Sequence, residues 1–466
     1  MLWKTKPLLT IPSEGLWIGA GAHVPSDGLW LGTLSETVTG KEPPVWLSTA
    51  KEQVLAIVGK RGSGKSFTLG VIAEGLALAT PTRRMARQSR RRAALLFDPL
   101  DVYWTTRHPV GQSSNEEAQR HYEMAESVSL IGGKFDVEAW VPGAASGRPT
   151  DPSWFRTLEL PVSSLGHNEW ELLLGVNILR DPIGQALADA LQLTGRQGFR
   201  RRGNVVPAIP DYDLENLRES TLSDELVPVY HAETLRALRQ RLGSLQQTGL
   251  FSAHGATIGT LIAPGRLTVI LLGRLGFSYR AAVVAVLTKL LIEDRTRAAF
   301  AEKRLALDPS MTGEERIAAE QSVRDSAPRT VVILDEAQSF LAPDVPDTAR
   351  NVYVRLVKEG RNIGLSAVLA TQQPSAIDQR ILSQVETFIA HQLVTESDIR
   401  AVRENLKSSV PDGIEFGKQQ VDLSGLLRAL LPGQCLVSSA DMNTTTRRAF
   451  IMTVRPRATI HGGIEL

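Results

Sequence analysis

The stretch QVLAIVGKRGSGKS, Gln53 to Ser66, decides how the rest of the chain is read. Val54 to Val58 is an apolar run too short for a helix, and it reads as a buried strand. It runs into Gly59, Lys60, Arg61, Gly62, Ser63, Gly64, Lys65 and Ser66, which match GxxxxGK[ST] at every fixed position. Glycines let the backbone turn tightly and aim successive N–H groups at phosphate oxygens, at the positive end of the helix that follows. In this pattern Lys65 reaches the β- and γ-phosphates, and the Ser66 hydroxyl holds Mg²⁺. The segment from Phe67 to Ala79 supplies the helix, with Phe67 beside the nucleotide. The expected ligands are ATP and Mg²⁺.

Two further strands carry the other half of such a site. Thr330 to Leu334 (TVVIL) delivers Asp335 and Glu336 at its end. Asp335 there holds Mg²⁺, and Glu336 polarises the attacking water. Leu365 to Ala370 ends in Thr371-Gln372-Gln373-Pro374, where Gln372 either senses the γ-phosphate or belongs to a strand-end turn closed by Pro374. Arg361 lies just before that strand. It is either an arginine finger, matching phosphate oxygens with its planar guanidinium, or a surface arginine, and spacing does not separate the two. Ala93 to Phe97 is a strand that ends in Asp98 and Asp101. They sit either where open α/β sheets hold ligands or in a plain turn.

At 466 residues the chain admits about three domains, and its formal charge of +2 creates no global field that demands nucleic acid or membrane. Basic character is local. Arg83, Arg84, Arg87, Arg90, Arg91 and Arg92 form either a solvated connection or a phosphate patch. Arg196, Arg200, Arg201 and Arg202 surround Phe199 and are the better candidate for a nucleic-acid contact. The single cysteine, Cys435, excludes an internal disulfide framework and a multi-cysteine metal site. No apolar run approaches membrane-spanning length, so the expectation is cytoplasmic, with no membrane partner. The pattern from Asn168 to Leu193 predicts one helix. Tyr279 to Lys303 predicts a helix apolar in its first half and charged in its second, and Thr312 with Glu315 predicts a capping box. The expected organisation is a short N-terminal β element (1–50), a first part of the ATPase core (51–192), a helical and basic insertion (193–254), and a second part of the core (255–466).

The run KEGRNIGLSAVLATQQPSAIDQRILSQVETFIAHQL, Lys358 to Leu393, resembles the HerA branch of the HerA–FtsK ATPases. Leu431 to Cys435 and His461-Gly-Gly resemble that family's terminal strands. The resemblance implies an α/β fold: a RecA-like P-loop core with a central, largely parallel sheet. It also implies homo-hexameric rings and ATP-driven translocation on double-stranded DNA. It assigns Lys65 and Ser66 to the P-loop, Asp335 and Glu336 to the metal and the water, Gln372 to sensing, and Arg361 to a finger acting on a neighbouring subunit. Asp98 and Asp101 stand where the family has an acidic element. Two features depart from the pattern. The N-terminal β element is short, which bears on how a nuclease partner docks, and the usual TQRP is Thr371-Gln372-Gln373-Pro374. Such trimmed chains resemble ATPases paired with an effector, of nuclease or NAD-hydrolase type, in antiviral defence. The alternatives are an ATP-dependent assembly scaffold for an effector enzyme, and an FtsK- or secretion-type pump.

Overall fold

The computed structural model describes residues 3–6, 9, 11–21, 24–36, 42–79, 85–87, 91–145, 147–345, 347–406, 413–416, 419–444 and 449–463. Its centre is one large sheet. In chain order the strands along its main path are β1 (Leu16–Ile18), β2 (Gly28–Leu34), β3 (Pro44–Ser48), β4 (Val54–Val58), β5 (Ala93–Asp98), β6 (Val137–Pro142), β7 (Arg156–Leu158), β8 (Leu267–Leu271), β9 (Thr330–Leu334), β10 (Leu365–Thr371), β11 (Thr387–Ala390), β12 (Gln434–Ser439) and β13 (Ala449–Val454), and the short strand Ala86–Arg87 pairs with β2 off this path. In space they run β1-β3-β2-β13-β12-β11-β4-β10-β9-β5-β8-β6-β7. From β11 to β7 every neighbouring pair is parallel. From β11 back to β3 the pairs are antiparallel.

The central parallel strands β4, β5, β8, β9, β10 and β11 are buried at every position because both faces are covered. On β4, Val54, Ala56 and Val58 enter one core, while Leu55 and Ile57 enter the other. Helix α1 (Lys65–Ala77) packs in the second core through Leu69, Ile72 and Leu76. The first core is closed by two helices that appear later in the chain, Phe277–Leu307 and Asp347–Ile363. This is the α/β architecture with a mostly parallel sheet that the P-loop and its partner strands predict.

Several expectations meet their physical reasons here. The N-terminal β element exists, but β1, β2 and β3 extend the main sheet, because β2 pairs with the distant β13. The helix expected from Asn168 to Leu193 is broken into α3 (His167–Leu174) and α4 (Pro182–Gln192). Gly175 turns left-handed at φ 61° and ends the first piece, and Pro182 opens the second. Helix α4 packs on Leu214–Ser220 and Ala232–Gln246, so these helices form one lobe whose buried leucines continue the first core. The long helix after β8 runs 31 residues and ends in solvent, with Leu307 78 % exposed. The capping box at Thr312 and Glu315 is present.

Among the described arginines after α1, Arg87 and Arg91 are exposed and only Arg92 is withdrawn from solvent. Arg92 is buried, with Nη2 3.0 Å from a Glu52 carboxylate oxygen and Nε donating to the Thr49 carbonyl. Arg87 lies 4.9 Å over the Trp46 ring. Arg83, Arg84 and Arg90 lie outside the described residues.

Candidate nucleotide site

The loop between β4 and α1 has the shape of an anion cradle. Gly62 and Gly64 adopt φ of 75° and 107°, which L side chains rarely reach. At Gly59 a Cβ would lie 2.5 Å from Ser63 Oγ and 2.7 Å from His391 Cβ, so only glycine fits. The first-turn amides of α1 receive no side-chain cap, and no acidic residue sits in that turn. They remain directed at an incoming anion. A phosphate chain therefore fits the residues present.

Three strand ends meet at this loop. Lys65 Nζ lies 3.0 Å from Asp335 Oδ1 and 3.2 Å from Glu336 Oε1, all three groups buried. Burial opposes the Lys65 charge, but the two carboxylates outweigh it and hold its pKa above the ordinary value. Burial likewise pushes Glu336 up, while Lys65 and the amides of Gln372 and Gln338 bring it below the usual range, so it is ionised at neutral pH. Gln372 Nε2 donates to Glu336 Oε1 at 2.6 Å, and Gln338 Nε2 donates to Oε2 at 2.5 Å. Thr371 Oγ1 in turn donates to Gln338 Oε1 at 2.7 Å. Glu336 itself sits at φ 48°. A non-glycine residue there stores about 1–3 kcal/mol of strain, a cost typical of residues held for chemistry.

The structure therefore brings together Lys65, Asp335, Glu336 and Gln372, and Lys60, Arg61, Gly62, Gly64, Ser66 and Phe67 line the same cleft. Asp98 and Asp101 do not line it, which corrects their reading as nucleotide ligands. Asp98 is wholly buried and accepts from the amides of Tyr103 at 2.7 Å and Leu100 at 3.2 Å. Burial pushes its pKa up to about 8. Asp101, left-handed at φ 55°, accepts from the Gly273 amide at 2.9 Å. Together they shape the turn that carries Tyr103, whose hydroxyl donates to Asp335 Oδ2 at 2.9 Å. Arg361 lies outside the cleft. It is 63 % exposed and 3.5 Å from Glu386, a residue that also accepts from the amide of Val54, at the opposite end of β4 from the P-loop.

Sequence reasoning missed Tyr103, Gln338 and His391. His391 is buried behind the loop. Its Nδ1–H donates to the Gln434 carbonyl at 2.9 Å, so Nε2 accepts from Thr68 Oγ1 at 2.8 Å. Burial lowers its pKa to about 4. Its only signal was its place directly after the β11 run, as Gln338 directly follows Asp335-Glu336-Ala337. Among the described residues no group of three or more His, Cys, Asp or Glu could hold a metal by itself. That suits Mg²⁺, which is usually held by one or two carboxylates together with substrate phosphates.

Residues 32–291 match the family described as Helicase HerA, central domain. The chain belongs to this HerA family. Among curated HerA relatives, the DNA double-strand break repair helicase HerA of Pyrococcus furiosus is 24 % identical over 217 residues, 45 % of this chain and 39 % of that protein. The protein of the same name from Sulfurisphaera tokodaii is 31 % identical over 87 residues, 18 % of each chain. The chain thus spans well under half the length of these relatives. In fold, it is similar to VirB4 of Thermoanaerobacter pseudethanolicus, at a TM-score of 0.50 and 16 % identity, over 94 % of this chain and 98 % of that one. Among the described residues no helix is long and apolar enough to cross a membrane.

Proposed function

We propose that this HerA-family chain hydrolyses ATP and uses the cycle to move double-stranded DNA through a homo-hexameric ring. Its partner in DNA processing or antiphage defence is an effector of nuclease or NAD-hydrolase type. The observation that carries the ATPase reading is Lys65 lying between Asp335 and Glu336, with Gln372 on Glu336. In the resting site Lys65 neutralises both carboxylates. An entering polyphosphate offers Lys65 a more highly charged partner and draws it off them. Glu336, released and still ionised, then accepts a proton from the attacking water. Gln372 exchanges its bond to Glu336 for one to the γ-phosphate and so registers whether that phosphate is present. Ser66 and Asp335 would hold Mg²⁺, which supplies charge neutralisation on the β- and γ-oxygens when bound.

The DNA reading rests on family membership and on the DNA-repair helicase role of the archaeal relatives. The ring reading rests on Arg361. At the far end of β4 from its own P-loop, it can reach a phosphate only on a neighbouring copy. Mixing Arg361→Ala with Lys65→Ala subunits should then restore turnover, because some interfaces pair an intact loop with an intact finger. Mixtures that show only the parents' residual activity would remove the trans role. The candidate DNA contact is narrower than four arginines around an aromatic ring. Phe199 is buried, and Arg201 pairs with Glu219 at 3.0 Å, which leaves the exposed Arg196, Arg200 and Arg202.

A further inference from the structure

The wall of the cleft beyond Ser66 is aromatic and is not used by the phosphate chemistry. Phe67 follows Ser66 directly on α1. Its ring centroid lies 5.6 Å from His121 and 5.9 Å from His461, both edge-on, and the two histidines are 6.3 Å apart. His121 comes from α2 (Glu116–Ser127), and His461 from the segment after β13. All three rings are half-buried and line the cleft that holds the P-loop, together with Leu100, Val102 and Met124.

We propose that Phe67, His121 and His461 form the subsite for the purine base of the nucleoside triphosphate. The inference rests on the ATP reading above and extends it from the phosphates to the base. The three rings already touch one another, so a base seats against the cluster and not between its members. Flat π-faces and a Met side chain suit a stacked heterocycle.

The hydrogen-bonding edge is also set. Arg457 Nη1 lies 3.2 Å from His461 Nδ1, and a guanidinium can only donate, so Nδ1 accepts. The proton of the neutral ring then sits on Nε2, a donor suited to the ring-nitrogen acceptors of a purine. Burial, and then Arg457, lower the His461 pKa to about 3, and burial also lowers His121, so both rings are uncharged at neutral pH. Arg457 is in turn held in place. It is fully buried, its Nη2 donates to Thr106 Oγ1 at 3.1 Å and to Thr459 Oγ1 at 2.8 Å, and it lies 3.7 Å from Glu74 of α1. The base-reading histidine is therefore anchored to the P-loop helix.

The test is to titrate the full chain with ATP, CTP and inorganic tripolyphosphate by calorimetry, beside His461→Ala, His121→Ala and Lys65→Ala. The wild type should bind ATP about tenfold more tightly than CTP, in keeping with the stacking difference. Each histidine variant should lose about tenfold in ATP affinity and keep its tripolyphosphate affinity. His461→Phe, which keeps a ring and removes the donor, should recover part of the ATP affinity that His461→Ala loses. Melting without nucleotide checks folding, and His121→Ala, on a surface helix, carries the test if His461→Ala is unfolded. If the histidine variants bind ATP like the wild type, or weaken ATP and tripolyphosphate equally, the base subsite is overturned. Tripolyphosphate binding that needs Lys65 would in that case leave the phosphate reading standing, whereas wild-type protein that binds neither ligand would overturn both.

Discussion

The parallel half of the sheet, β11 to β7, and its antiparallel half, β12 to β3, with β1 added in parallel at the edge, solve different problems. In the parallel half the strands are linked through helices, and the carboxyl ends of four central strands deliver functional groups to one edge. β4 delivers the P-loop, β9 delivers Asp335 and Glu336, β10 delivers Gln372, and β5 delivers the turn with Tyr103. The antiparallel half delivers no group to the phosphate chemistry, although Thr453 and Val454 of β13 and His461 beyond it line the cleft. It joins residues 16–48 to residues 434–454 by direct pairing, and then fastens the segment that follows to α1. That fastening is a buried ion cluster. Glu74, with no exposure, bonds Arg455 Nη1 at 2.5 Å, accepts from the amides of Ala458 and Thr459 at 3.0–3.1 Å, and faces Arg457. One half arranges chemistry and the other holds two distant segments of the chain against it.

If that division is right, mutations in the two halves should separate turnover from stability. The largest effect belongs to the parallel half. Glu336→Gln should slow ATP turnover by about a thousandfold, because water polarisation is removed, while nucleotide still binds. Near-normal turnover would end the assignment of Glu336.

The next belongs to the other half. Glu74→Gln leaves two buried guanidinium groups without a carboxylate and should cost about 3–5 kcal/mol in urea unfolding. An unfolding midpoint equal to the wild type would show that the two segments are held by strand pairing alone.

A third effect sharpens the boundary, because His391 sits at the end of β11, where the halves meet. Its pKa falls to about 4 from an ordinary 6.5. The unfolded chain therefore takes up a proton below pH 6.5 that the folded chain refuses. Stability is fully present above about pH 6.5 and is lost as pH falls toward 4, by roughly 3 kcal/mol at the acid end. His391→Gln should flatten that limb, leaving the share of His461. An unchanged acid limb would place the burden elsewhere.

The smallest effect lies outside both halves, on the lobe. Arg200→Glu with Arg202→Glu should lower the salt dependence of DNA binding by about one unit of log–log slope for each phosphate that is no longer neutralised. Asp224 and Glu225 already accept backbone amides of that hairpin, which limits its positive field. An unchanged slope would move the DNA-binding surface elsewhere on the molecule.

The parallel half was legible in the sequence because its signals are local. A five-residue apolar run ending in a charged or glycine-rich turn names both the strand and its functional tip, as at Val58, Leu334 and Thr371. The antiparallel half was not legible in that way. The pairing of β2 with β13 joins residues more than 400 positions apart, such as Thr33 with Thr453, and no local pattern encodes a partner at that range. Asp98 misled for a related reason. An acidic residue at a strand tip looks the same whether it faces a ligand or folds back on its own turn, and only burial separates the two. The break between α3 and α4 was written in Gly175 and Pro182, but the apolar spacing on either side of them masked it.

Glu74 also sets an order of events in the making of the protein. It emerges from the ribosome soon after Lys65, yet its cationic partners, Arg455 and Arg457, follow some 380 residues later. At ordinary elongation speeds that is a wait of about 20–80 s. During it, the helix that begins with Lys65 carries a carboxylate destined for a fully buried place and has no cation to receive it there. Until residue 457 is made, α1 cannot settle against the sheet without leaving that charge in a dry interior. The expected consequence is that the P-loop helix docks fully only once residue 457 is made, which ATP binding by ribosome-stalled chains ending before and after that residue would show.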